Sequence, residues 1–176
     1  LDYNLIRTED ASGIDSPTES PLVVEQDYNG FDEPIEIRQR KEPPGQTPPA
    51  WRVTDFSYDG DGNLSQRVDE GRTQTFGYDQ ADQFTSQLDA NGTGCADDRQ
   101  LTLSYLRNGL QGGEAIRKSD GGCDPSTWPI KRQTAWSYFQ NGRLRTLQSW
   151  KGAQTSANLV ESHTLDYETN GVYVNG

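Results

Sequence analysis

Methionine is absent from this 176-residue chain, histidine occurs once, and cysteine occurs twice. With His163 alone, neither a histidine-based proton relay nor a multi-histidine metal site has the residues it needs. Ser162 beside it is only a sequence neighbour, and Asp97-Asp98 reads as a solvated acidic pair in a loop rather than a poised acid and base. No enzyme is expected, and no cofactor. Hydrophobic residues are scarce, at 31%, and the mean hydropathy is −0.93. No run of 18 apolar residues exists, so no transmembrane helix is expected. Basic residues are few as well, 16 against 27 acidic, for a net charge of −11. Nucleic-acid affinity comes mostly from phosphate neutralisation by Lys and Arg, so nucleic acid is a poor partner. An anionic membrane repels the chain for the same reason. Leu1 to Arg7 lack the basic start and apolar centre of a signal peptide. The chain reads as a piece of a longer protein, with any export signal outside it.

Aromatic residues are present in strength: 8 Tyr, 5 Phe and 4 Trp, alongside 18 Gly and 9 Pro. So polar a composition is compatible with disorder, but disordered chains are poor in aromatics. The tyrosines are also placed regularly. An apolar residue stands two positions before each in Leu1/Tyr3, Phe56/Tyr58, Phe76/Tyr78, Leu103/Tyr105, Trp136/Tyr138 and Leu165/Tyr167. Tyr28 joins the series with Gln26 at the earlier place, leaving only Tyr173 outside it. Two residues apart on a strand means one face, so each unit sets an apolar side chain beside a tyrosine.

A turn follows each of these strands. After Tyr58, Tyr78 and Tyr138 an apolar residue returns six places on, at Leu64, Phe84 and Leu144. Tyr105 and Tyr167 are expected to have shorter versions reaching Leu110 and Val172. Asn-Gly occurs at 29–30, 91–92, 108–109, 141–142, 170–171 and 175–176, and both residues tolerate the positive φ of tight hairpin turns. No stretch sustains a helical i, i+3, i+4, i+7 pattern. Ser16–Pro21, Pro43–Pro49 and Cys123–Pro129 carry every proline but Pro34 and read as connections, since proline lacks the ladder donor. The expected fold is therefore all-β, of stacked antiparallel hairpins.

Phe56-Ser57-Tyr58-Asp59-Gly60-Asp61-Gly62-Asn63-Leu64 and Phe76-Gly77-Tyr78-Asp79 resemble the tyrosine-aspartate (YD) repeat, also called the rearrangement-hotspot (RHS) repeat. Elsewhere Asn29, Leu106, Phe139 or Glu168 follows the tyrosine. Bacterial polymorphic toxins, toxin-complex shells and teneurins belong to this family. The resemblance implies a curved strip that is a segment of a shell, with residues 1–176 one array of about six units. It also implies an extracellular or cell-surface location, and as partners the neighbouring repeats and an enclosed C-terminal toxin. The family's autoproteolytic region has no counterpart, because Asp124-Pro125-Ser126 lacks the glycine and downstream Asp-Gly that mark it.

Cys95 and Cys123 occupy nearly equivalent places in successive units, so side-by-side stacking predicts a disulfide between them. The tyrosines Tyr3, Tyr28, Tyr58, Tyr78, Tyr105, Tyr138 and Tyr167 are expected to be structural. Trp51 and Trp128, in or beside loops, are the candidates for glycan contact, which makes a carbohydrate-binding adhesin the alternative function. Asp59, Asp61 and Asn63 imitate a calcium loop, but Leu64 stands where a glycine is needed, and a hairpin turn is the preferred reading. Strands left unpaired at the two ends favour edge-to-edge self-association.

Overall fold

The computed structural model describes residues 6–9, 23–40, 51–92, 94–168 and 171–175, with side chains through 165 except that of Glu9. Tyr3, the other proline-rich connections at 16–21 and 43–49, and the Asn-Gly at 175–176 lie wholly or partly outside these residues, and Tyr167 is described by its backbone alone. The chain divides into two compact units, 1–74 and 75–176.

In the first unit β1 (Ile6–Glu9), β2 (Val23–Tyr28), β3 (Pro34–Arg40), β4 (Trp51–Tyr58) and β5 (Leu64–Asp69) are antiparallel, each paired with the next in chain order. β6 (Arg72–Tyr78) begins in this unit and ends in the second. There β7 (Phe84–Ala90), β8 (Arg99–Tyr105), β9 (Gln111–Lys118), β10 (Ile130–Tyr138), β11 (Leu144–Trp150), β12 (Leu159–Glu168) and β13 (Gly171–Asn175) follow the same rule. The fold is all-β, built of antiparallel hairpins laid side by side.

The lean composition has a direct structural counterpart. Among the described residues the buried apolar side chains are Val23, Ala115, Trp128 and Trp150, while most strand residues are half-buried. Each strand side chain is covered by its neighbours along the row rather than by an opposing layer. The aromatic pairs follow this plan: Phe84 lies with its ring centroid 6.2 Å from Phe76 and 5.9 Å from Tyr78. In the first unit the opposite face is charged. Glu36 stands directly across from both Asp27 and Asp55, a like-charge row that is unfavourable alone. Arg38 relieves it by reaching Asp27 at 3.4 Å, Glu25 at 3.8 Å and the Glu36 carboxylate.

One turn design recurs five times, at 29–33, 59–63, 79–83, 106–110 and 139–143. The first residue's N–H donates to the fifth residue's carbonyl, and the fourth residue's N–H donates to the first residue's carbonyl. The fourth residue takes positive φ in every copy, as Asp32, Gly62, Asp82, Gly109 and Gly142. Register also slips by one residue just before the tyrosine in the hairpins of Tyr28, Tyr58, Tyr105 and Tyr138. Such a bulge fits an odd-length turn to an even-period strand.

One reading of the turns needs correction. Tyr105 has the same five-residue turn as the others and pairs with Gln111, Leu110 being the last turn residue. Tyr167 pairs with Val172, the residue expected for it. Asn-Gly lies within the five-residue turns at 29–30, 108–109 and 141–142, while 91–92 falls in the connection from β7 to β8. Among the described residues a two-residue turn with both φ positive is Glu70-Gly71, between β5 and β6.

The turns also explain why aspartate after tyrosine is dispensable. Where the first residue is Asn29, Asp59 or Asp79, its Oδ1 accepts the N–H of the third and fifth residues. Where it is Leu106 or Phe139, the third residue is Asn108 or Asn141, and its Oδ1 accepts the fifth N–H instead. One side-chain acceptor is needed, at either place. Asn108→Ala should therefore lower unfolding free energy by about 1 kcal/mol in urea titration. Adding Leu106→Asp should restore most of that loss, and a double variant no better than the single one would contradict the exchange.

Candidate functional site

The tyrosine of each first strand does more than cover its neighbours. Pairing between β3 and β4 stops at Asp55, three residues short of Tyr58. The β7–β8 ladder stops at Thr102, three short of Tyr105, and the β9–β10 ladder stops at Ala135, three short of Tyr138. Beyond those points the hairpins separate, and the hydroxyl crosses the gap. Tyr58 Oη donates to the Pro34 carbonyl at 3.0 Å, Tyr105 to that of Phe84 at 2.7 Å, and Tyr138 to that of Gln111 at 2.9 Å. In all three the acceptor is the first residue of the preceding strand, so a side chain takes over where the backbone ladder ends. Tyr28 differs, donating to Gln26 Oε1 within its own strand at 2.6 Å, which accounts for a polar residue two places before it. Burial, and after it the Glu33 carboxylate, holds the Tyr58 phenol above its usual range.

At the opposite end of the second unit, two connections are tied together. Cys95 and Cys123 form a disulfide with Cα atoms 5.1 Å apart, closing a span of 28 residues. Ser119 N–H donates to the Asp98 carbonyl at 3.0 Å, and Lys118 Nζ lies 3.1 Å from Asp97. Asp98 is buried, and its Oδ1 accepts the Asn91 N–H at 3.0 Å, so only Asp97 of that pair is solvated. Ser119 Oγ accepts the Gly121 N–H and donates to the Gly122 carbonyl. Neither Asp98 nor Ser119 was distinguishable by sequence from the other loop acids and hydroxyls.

Trp128 corrects the glycan reading most directly. It is 3% exposed, and its indole N–H donates to the Gly122 carbonyl at 2.7 Å. A single 3-10 turn at Pro125–Thr127, capped by Asp124 Oδ1 on the Ser126 N–H, folds the ring beneath the segment carrying Cys123. The hydrogen bonds from Ser126, side chain first, keep the exposed Asp124 carboxyl below its ordinary range. Trp128 is a plug for the loop and offers no face to a sugar. Trp51 is half-buried at the start of β4, opposite Arg40.

The calcium candidates are engaged by the turn. Asp59 Oδ1 accepts the N–H groups of Asp61 and Asn63, and Oδ2 lies 3.3 Å from Asn63 Nδ2. These bonds, led by the Asn63 N–H, depress the Asp59 carboxyl. Among the described residues no three His, Cys, Asp or Glu side chains gather as a metal-binding group. His163 Nε2 is 2.6 Å from Glu161 Oε1 on the surface of β12.

The profile of the RHS repeat family matches residues 58–93, which begin at the Tyr58 latch and run through the hairpin of Tyr78. This chain carries an RHS repeat. The same turn and the same tyrosine bond recur outside the matched residues, in the hairpins ending at Tyr105 and Tyr138. One solved structure similar to this chain is a crystal structure of TcdB2-TccC3-Cdc42, at 13% identity and a TM-score of 0.39. The match covers 86% of this chain and 9% of the other, so the chain spans under a tenth of that protein's length. No curated protein sequence matches.

The disulfide and Trp128 hold one loop, so their losses should not add. Trp128→Ala should cost about 3 kcal/mol or more, and Cys95→Ser with Cys123→Ser about 3–4 kcal/mol from the lost loop constraint. Combining all three should cost clearly less than the sum in thermal unfolding. Full additivity would mean that Trp128 does not act on the disulfide loop.

Proposed function

We propose that this chain is a structural length of an RHS-repeat wall, belonging to a secreted or cell-surface protein and serving as scaffold rather than enzyme. One observation carries the reading: a hairpin with a fixed turn and a fixed tyrosine bond is repeated along the chain, while the loops between copies vary freely. Such a unit extends a surface by addition and gathers no reactive groups in one place. The whole of residues 1–176 is then one array, continued by further repeats of the parent protein. The parent uses that surface to enclose a C-terminal toxin or to present an adhesive exterior. The Cys95–Cys123 disulfide fits an oxidising compartment.

Electron microscopy of the parent protein tests the scaffold assignment. Residues 23–175 should lie within the wall of a hollow particle; a solid particle with these strands lining a catalytic cleft would overturn it. Location is tested separately by alkylating protein recovered from the source cells before lysis. Blocked thiols at 95 and 123 are expected, whereas free thiols would place the protein in a reducing compartment.

A further inference from the structure

A groove of about 470 Å³ opens in the first unit between the turns 29–33 and 59–63, beside the Tyr58 ring. Phe31, Phe56 and Tyr58 supply its aromatic walls, and Glu33, Asp59 and Asp61 its acids. Phe31 is not there for the fold. The turn uses only the backbone N–H of its third residue, which Asn29 Oδ1 accepts. Asp61, Ala81, Asn108 and Asn141 stand at the same place in the other copies, and Phe31 is 86% exposed. An aromatic ring left in water at a position open to other residues, on the wall of a groove, is suited to meeting a ligand.

The acids narrow the ligand's chemistry. The Asp59 oxygens already receive the turn's N–H groups, and Glu33 Oε2 accepts from Asn29 Nδ2 at 2.6 Å. Their charge acts on the groove, as does that of Asp61, of which the turn uses only the backbone N–H. Tyr58 likewise gives its hydroxyl to Pro34. A groove with negative potential and aromatic faces suits an organic cation, and a quaternary ammonium group draws most on the aromatic faces. The volume is that of a small-molecule site.

We propose that this groove binds a quaternary ammonium group of the choline type carried on a small molecule. The trimethylammonium head sits against Phe31 and Phe56, within the field of Glu33, Asp59 and Asp61.

Titration of the full chain by calorimetry tests this, with three probes: choline, its uncharged tert-butyl isostere in which carbon replaces nitrogen, and ethanolamine. Choline should bind saturably at one site, and both other probes at least about threefold more weakly. Phe31→Ala should weaken choline about three- to tenfold with an unchanged thermal midpoint, and Phe31→Tyr should retain binding. The proposal is overturned if choline does not saturate, or if the neutral isostere binds as well. It is equally overturned if ethanolamine binds more tightly, or if Phe31→Ala leaves the affinity unchanged.

Discussion

The hydrogen bond from a tyrosine hydroxyl to the first carbonyl of the preceding strand is the interaction on which the hairpin arrangement rests. Neighbouring hairpins share a backbone ladder only over their far halves, and near the turns the register slip and the five-residue turn drive the strands apart. A carbonyl left there would have no cross-strand donor. Tyrosine reaches across with a rigid ring that fills the wedge and a hydroxyl that satisfies the carbonyl, so one residue type replaces three residues of lost pairing. Each bond contributes modestly, about 0.5–1.5 kcal/mol. Repetition is what makes it decisive.

This arrangement also accounts for the lean, polar composition. With few side chains wholly buried, stability comes from continuous ladders and half-covered aromatic rows rather than from a deep core. The acidic row of Asp27, Glu36 and Asp55 is tolerable because Arg38 is at hand. The second unit adds a local constraint at the end remote from the tyrosines, where the disulfide, Asp98 and Trp128 knit two connections together.

Much of the fold was legible because its signals are local. Tyrosine spacing, the apolar partner two residues earlier and the return six residues later mark the strands and turns directly, and equivalent loop positions were enough to pair Cys95 with Cys123. The errors came where spacing says nothing about direction. Trp128 looked like an exposed loop aromatic, but a capped 3-10 turn folds it inward, and the chain around it carries no periodic pattern that would announce this. The turn after Tyr105 looked shorter than the others because Leu110 is apolar, but Leu110 is its last residue and Gln111 is the one that pairs. The target of each tyrosine hydroxyl was invisible as well, since it depends on where the ladder between hairpins stops. The aromatic and acidic residues of the first-unit groove come from two turns about 30 residues apart, and only the folded register sets them together.

The most direct test is removal of single hydroxyl groups. Tyr105→Phe and Tyr138→Phe should each lower the free energy of unfolding in urea by about 1 kcal/mol, because each leaves a strand-end carbonyl without its donor. Tyr28→Phe, whose hydroxyl bonds within its own strand, should cost clearly less. If the three substitutions are equally mild, the hydroxyl does not join the hairpins and this account of their arrangement is wrong.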